Sequence, residues 1–217
     1  MDNHERFDLW ADDYDQSVRV SDDEGRYPFA GYKAVLNKIY SHIVSRPGKM
    51  VLDLGFGTGV LTTKLYEHGY QIYGQDFSAR MSELANEKMP DARLYQGDFS
   101  VGLAPALMRH RYDFIIATYS LHHLPDEQKV NLLHRLMGLL NKEGRIYIGD
   151  IAFSTRKDRE ISKIQAGKAW DDDEIYFIAD ELKEVFPQMK FEPMSHCAGV
   201  FCLRRSDIDS NTNSELV

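Results

Sequence analysis

Val51-Leu52-Asp53-Leu54-Gly55-Phe56-Gly57-Thr58-Gly59 decides the reading of this chain. Three glycines, at 55, 57 and 59, follow an apolar strand and open a helix, so the turn lets a ligand approach the backbone with no side chain in the way. A dinucleotide-binding loop of this kind wants Gly-x-Gly-x-x-Gly, with the helix N-terminus facing a pyrophosphate. Here the last place of that pattern is Val60. Asp53, two residues before the first glycine, stands at the strand end beside the ligand. A carboxylate there repels a pyrophosphate and suits a cationic group such as an amine or a sulfonium. A nicotinamide oxidoreductase therefore conflicts with both Val60 and Asp53.

Working outward, short β-rich runs alternate with helical stretches. Strands are expected at Lys49–Leu54, Tyr70–Gln75, Ala92–Gln96, Tyr112–Thr118 and Gly144–Ile151, with a closing antiparallel pair at Lys190–Cys197 and Gly199–Arg204. Helices are expected at Glu5–Tyr14, Pro28–Val44, Gly59–His68, Ser78–Lys88, Asp126–Leu140, Arg156–Lys168 and Asp173–Phe186. Strands separated by helices imply right-handed crossovers and a mostly parallel sheet. The expected fold is α/β: a three-layer Rossmann-like sandwich whose seven-stranded sheet carries a terminal antiparallel strand.

At 217 residues, against ~150 per domain, one domain over 1–205 is expected, followed by a polar tail over 206–217. Within it lie an N-terminal helical cover (1–45), a cofactor-binding core (46–151), a helical excursion (152–187) and the closing strands (188–205). Ligands of open α/β sheets bind beyond the carboxyl ends of the strands, so the substrate mouth is placed between the cover and the excursion. Both segments are rich in aromatics, among them Tyr27, Phe29, Tyr32, Trp170, Tyr176 and Phe177. Packing of the covers onto the domain is the favoured reading of these rings.

The net charge is −8, and its distribution says more than the total. Residues 1–30 hold nine acids against three bases, and residues 171–184 hold seven against one, leaving the remainder at +4. No long basic run offers the phosphate-binding face that a nucleic-acid binder needs, so nucleic acid is disfavoured as a partner. Nothing approaches ~18 uninterrupted apolar residues, which argues against a membrane span. The N-terminus lacks a signal-peptide layout, and two cysteines, Cys197 and Cys202, fit a reducing cytoplasm and the sheet core.

Two further carboxylates extend the ligand site. Asp76 ends the second strand, where it can accept hydrogen bonds from both hydroxyls of a ribose. Gly97-Asp98-Phe99 follows the third strand. Asp98 can accept from an adenine amine there, and the Phe99 N–H can reach a ring nitrogen. Singly these are turn and cap residues; together, at successive strand ends beside the glycine loop, they describe a nucleoside site.

With these pieces in order the chain resembles the class I S-adenosylmethionine-dependent methyltransferases, and in particular uncharacterised bacterial members of their small-molecule branch. The resemblance runs through DLGFGTG at 53–59, QD at 75–76, GD at 97–98, ATYSLHHL at 117–124 and LLNKEGRIYIGD at 139–150, and FDLWADDYD at 7–15 is similar to that branch's opening helix. It implies S-adenosyl-L-methionine as cofactor, a small-molecule methyl acceptor and transfer by in-line displacement. Asp53 would hold the cofactor's amino group, Gly55 and Gly57 would pass its methionine tail, and Asp76, with Phe77 beside it, would bind the ribose. Asp98 and Phe99 would bind the adenine, and Thr118 and Tyr119 would lie near the reactive methyl. Tyr14 would help to cover it, with Trp10 packing the opening helix. A homodimer is one expected assembly. A non-catalytic protein that binds S-adenosylmethionine or S-adenosylhomocysteine is the alternative function.

His122 and His123 follow the fourth strand at its ligand end, and His123 is the candidate general base, should the acceptor need to lose a proton. The competing account has one histidine of the pair packed under the loop. No metal site is expected, because adjacent histidines rarely face one ion and no third ligand is spaced nearby in the sequence. His196 is read as a surface or sheet residue.

Overall fold

A computed structural model describes Val18 and residues 20–205. The expected helix Glu5–Tyr14, with Trp10 and Tyr14, and the tail 206–217 lie outside the described residues.

The central strands are β1 (Met50–Leu54), β2 (Gln71–Asp76), β3 (Arg93–Gln96), β4 (Tyr112–Thr118) and β5 (Leu140–Phe153). With β7 (Lys190–Pro193) and β8 (Ala198–Arg204) they form a sheet of order β3-β2-β1-β4-β5-β8-β7. Pairing is parallel from β3 through β5, and β8 runs antiparallel to both β5 and β7. A two-residue strand β6 (Phe177–Ile178) pairs with Ala152 and Phe153 at the end of β5.

The apolar runs of β1 and β4 are buried on both faces, as parallel strands covered by helices must be. Their residues alternate between two cores with the period of two that a pleated strand imposes. Val51, Phe114 and Ile116 face one cluster, while Leu52, Leu54, Ile115 and Ala117 face the other. Helices α1 (Tyr32–Val44), α2 (Val60–Glu67) and α3 (Ala79–Lys88) cover the first cluster with Val35, Ile39, Leu65 and Ala85. Helix α4 (Asp126–Gly138) covers the second with Leu132, Leu133, Leu136 and Met137, joined by Leu182 of α6 (Ala179–Val185). Helix α5 (Arg156–Ala166) lies between β5 and β6 in the chain, its first turn closed by a capping box of Thr155 and Asp158.

β1 pairs with β2 on one side and β4 on the other. The crossovers therefore diverge at its carboxyl end and open a crevice there, the usual place for a ligand.

Several expected elements change their limits. The helix expected at Pro28–Val44 begins at Tyr32, because Gly31 precedes it with φ 85° and the Asp22 carboxylate caps it from a distance, accepting from Gly31 N at 2.9 Å. The expected helix Asp173–Phe186 divides: the β-prone run Ile175–Ile178 supplies β6, and only Ala179–Val185 stays helical. The strand expected to reach Cys197 stops at Pro193, and Ser195 then organises a turn, its Oγ accepting from Cys197 N at 3.2 Å and Ala198 N at 3.0 Å.

Candidate active site

The glycine turn between β1 and α2 is built as its composition requires. Gly55 and Gly57 have φ of 70° and 54°, a region that costs a side chain energy. At Gly55 a Cβ would also come within 2.4 Å of the Ser120 side chain. The turn is tied to β2 through the Asp76 carboxylate, whose Oδ2 accepts from Gly57 N at 2.8 Å while Oδ1 accepts from Ser78 N at 2.9 Å.

Asp53 is 1% exposed. Thr62 of α2 donates to its Oδ2, and Oδ1 has no hydrogen-bond partner among the described residues. Burial pushes its carboxyl pKa up to about 7, opposed by the Thr62 bond and reinforced by the nearby charge of Asp76. A buried acceptor left without a donor is costly, and a cationic donor beside it would remove that cost. The amine of S-adenosylmethionine fits this requirement.

The loop after β3 is held by Gln75, whose amide donates to Gly102 O at 2.9 Å and accepts from Ala104 N at 2.8 Å. That brace presents Asp98, an exposed residue whose Oδ1 accepts from Ser100 N, and the buried Phe99. At the end of β4, Tyr119 is the non-glycine residue with positive φ among those described, at 51°. Such a backbone persists only where its surroundings impose it: its N–H donates to Gly149 O at 2.8 Å, and its ring sits 5.0 Å from that of Tyr32 and 5.6 Å from that of Phe29.

These residues line one cavity of about 260 Å³. Asp53, Gly55, Gly57, Asp76, Phe77, Asp98, Phe99, Thr118, Tyr119 and His123 all lie on its wall, bringing together the sequence-predicted residues that the structure describes. The wall holds three aspartates and neither lysine nor arginine among the described residues. Tyr32 and Leu36 of α1 and Met81 of α3 also contribute, and no local motif marks them. Of the other cover aromatics, Tyr27 stacks on Trp170 at 5.1 Å, Trp170 meets Tyr176 edge-on at 4.9 Å, and Phe177 packs on Phe201 of β8 at 5.2 Å.

His122 is buried, with Nδ1 2.6 Å from Asp150 Oδ1 and Nε2 3.5 Å from Glu174 Oε1. Burial alone would lower its pKa, but the charges of Asp150 and Glu174 outweigh that and leave it raised. Asp150 is fully buried, and His122 and the N–H of Ile151 hold its pKa down against desolvation. His123 is the exposed member of the doublet, with its pKa lowered by desolvation and then by His122. Its Nδ1 lies 3.9 Å from the same Glu174 oxygen. The sequence spaces no third ligand beside the doublet, and the fold brings one there: Glu174, from the segment that leads into β6, forms a cluster with both imidazoles. Cys197 is buried, as expected of a sheet-core thiol, and His196 lines a separate hollow with Ser162 and Pro193.

Comparison with known proteins agrees with this architecture. A family model described as a methyltransferase domain matches residues 51–144. An uncharacterized methyltransferase of Anoxybacillus flavithermus is 40% identical over 154 residues, covering 71% of this chain and 69% of its own length. Another from Bacillus pumilus is 33% identical over 198 residues, covering 88% of this chain and 89% of its own. Among solved structures, the DhpI–SAH complex superposes with a TM-score of 0.68 at 16% identity, over 93% of this chain and 94% of that one. Magnesium protoporphyrin IX methyltransferase from Synechocystis with bound SAH gives 0.63 at 18% identity, over 80% and 83%. The sheet order, the acidic crevice and these relatives converge: the chain belongs to the class I S-adenosylmethionine-dependent methyltransferases.

Proposed function

We propose that this methyltransferase moves the methyl group of S-adenosylmethionine to a small-molecule acceptor by in-line displacement. The observation that carries the reading is a single cavity whose wall brings together three aspartates with Thr118, Tyr119 and His123. When bound, the cofactor supplies an activated methyl on sulfur, and the chain's own task is alignment, worth roughly 7–11 kcal/mol where geometry is good.

In this reading Asp53 receives the amino group on its unpartnered Oδ1, and Asp76, braced by two backbone N–H groups, receives the ribose hydroxyls. Asp98 and the Phe99 backbone take the adenine, with Phe77 packing beside the ribose. Gly55 and Gly57 let the methionine portion lie against the turn, and the backbone held at Tyr119 fixes the floor next to the methyl. Tyr14 keeps its proposed covering role. His123 faces the acceptor. With its pKa held down it stays neutral at pH 7, so it positions an acceptor by hydrogen bonding and is a poor store for a proton.

The modest cavity and the absence of lysine and arginine from its lining among the described residues support a small neutral or cationic acceptor over a nucleic acid. The reading is tested by calorimetry against S-adenosylmethionine, S-adenosylhomocysteine and NAD with wild type and Asp76→Ala, followed by transfer of labelled methyl into a metabolite extract. Micromolar binding of the first two, lost in the variant, with label appearing in a small extractable product is the expected outcome. Tight NAD binding, or label appearing only in macromolecules, overturns it.

A further inference from the structure

We propose that His122, His123 and Glu174 form a binding site for one divalent transition-metal ion of zinc-like ligand preference, reaching the cavity through His123. Their donor atoms, one from each side chain, all lie within 4.8 Å of one another, with His122 Nε2 and His123 Nδ1 at 3.5 and 3.9 Å from Glu174 Oε1. Around a tetrahedral ion with ligand bonds of about 2.0–2.2 Å, neighbouring donor atoms stand roughly 3.4 Å apart. The two separations from Glu174 therefore need to close by about half an ångström or less, and the separation of the two imidazoles by no more than about 1.4 Å.

The outer partners point the same way. Asp150 Oδ1, 2.6 Å from His122 Nδ1, fixes that ring with its proton on Nδ1 and its other nitrogen towards Glu174. Asp150 is itself held by the N–H groups of Leu121 and Ile151, at 3.1 and 2.8 Å. Tyr176 donates to Glu174 Oε2 at 2.9 Å, which leaves Oε1 as the oxygen shared with both imidazoles. A carboxylate behind a ligating histidine and a donor behind a ligating carboxylate are the usual means of orienting a metal's ligands.

The backbone is arranged to match. Ile175 N donates to His122 O at 2.8 Å, and the buried Lys129 ammonium donates to Ile175 O. These bonds hold the segment bearing Glu174 against the histidine loop. Two imidazoles and one carboxylate suit zinc, cobalt, nickel or ferrous iron, and suit magnesium or calcium poorly, since those take oxygen sets. Three protein ligands leave a position open for water or an incoming group, and His123 lies on the cavity wall.

The test does not depend on the methyl-transfer reading. The full chain is stripped with a chelator and titrated with Zn²⁺ by calorimetry and with Co²⁺ by visible absorption. One ion per chain is expected, with cobalt bands of four- or five-coordinate intensity. Asp150→Asn should weaken binding by about 10–100-fold, and Glu174→Gln and His123→Gln should weaken it further, with His196→Gln unchanged. Circular dichroism of each metal-free variant checks folding; Glu174 and His123 are not buried, so these two variants keep the test open if Asp150→Asn fails to fold. No stoichiometric uptake, or uptake unaltered in both Glu174→Gln and His123→Gln, overturns the proposal and leaves an ion-pair cluster only.

Discussion

Asp53 carries the sharpest single-residue consequence. Its pKa is raised in the folded chain to about 7 from an ordinary value of 3.8. The folded state therefore holds a proton that the unfolded state has lost between about pH 4 and pH 7. Stability falls as pH rises through that window, and above it the group costs on the order of 4 kcal/mol. Asp53→Asn should accordingly raise the melting temperature of the ligand-free chain at pH 8 far more than at pH 4, while weakening S-adenosylmethionine. A variant no more stable than wild type at pH 8 would count against the orphaned carboxylate. Binding a cationic amine should ionise Asp53, so titrations at pH 6 in buffers of different ionisation enthalpy should reveal release of close to one proton. Heats that do not vary with buffer would count against it. At Gly55 the φ of 70° and the 2.4 Å approach to Ser120 imply that Gly55→Ala costs more than the ~1 kcal/mol typical of a point substitution and also lowers cofactor affinity, as denaturant unfolding and calorimetry would show.

At the scale of elements, the segment between α5 and α6 depends on α4. Lys129 is 1% exposed, and its ammonium bonds Asp126 and the carbonyl of Ile175. Lys129→Met keeps the aliphatic bulk but leaves that carbonyl without its donor, a loss of about 1–3 kcal/mol. Because Ile175 also bonds His122 O, hydrogen exchange should quicken around residues 171–178 while β1 and β4 keep their protection. Uniform exchange across the sheet would mean that Lys129 supports the whole fold and not this segment. The same region shows where local pattern misleads. The stretch 173–186 reads as one helix, yet the β-branched and aromatic run inside it pairs with the end of β5, where Phe177 and Ile178 are buried.

For the whole molecule, charge is the governing property. The chain carries −8, and three of its aspartates line the cavity, with no lysine or arginine there among the described residues. A cleft of one sign concentrates ligands of the other and repels its own, by an amount that salt reduces. Among matched acceptors the cationic one should therefore show the higher kcat/KM at low ionic strength, with the difference shrinking as salt rises. A steady preference for the anion would end this reading. No helix among the described residues is long and apolar enough to cross a membrane.

Much of this was legible in the chain itself. Apolar strands at fixed intervals, glycines needing left-handed backbone and carboxylates at three strand ends are local signals, since pleat, turn and helix start are each set by a few adjacent residues. They carried the sheet, the cofactor class and the aspartates of the cavity wall. What only the tertiary structure decided involves partners far apart in sequence: Tyr32 and Leu36 on the cavity wall, Asp22 capping α1, Lys129 clasping Ile175, and Glu174 brought beside His122 and His123. No spacing rule announces such pairs, because their proximity arises from two cores closing on opposite faces of one sheet.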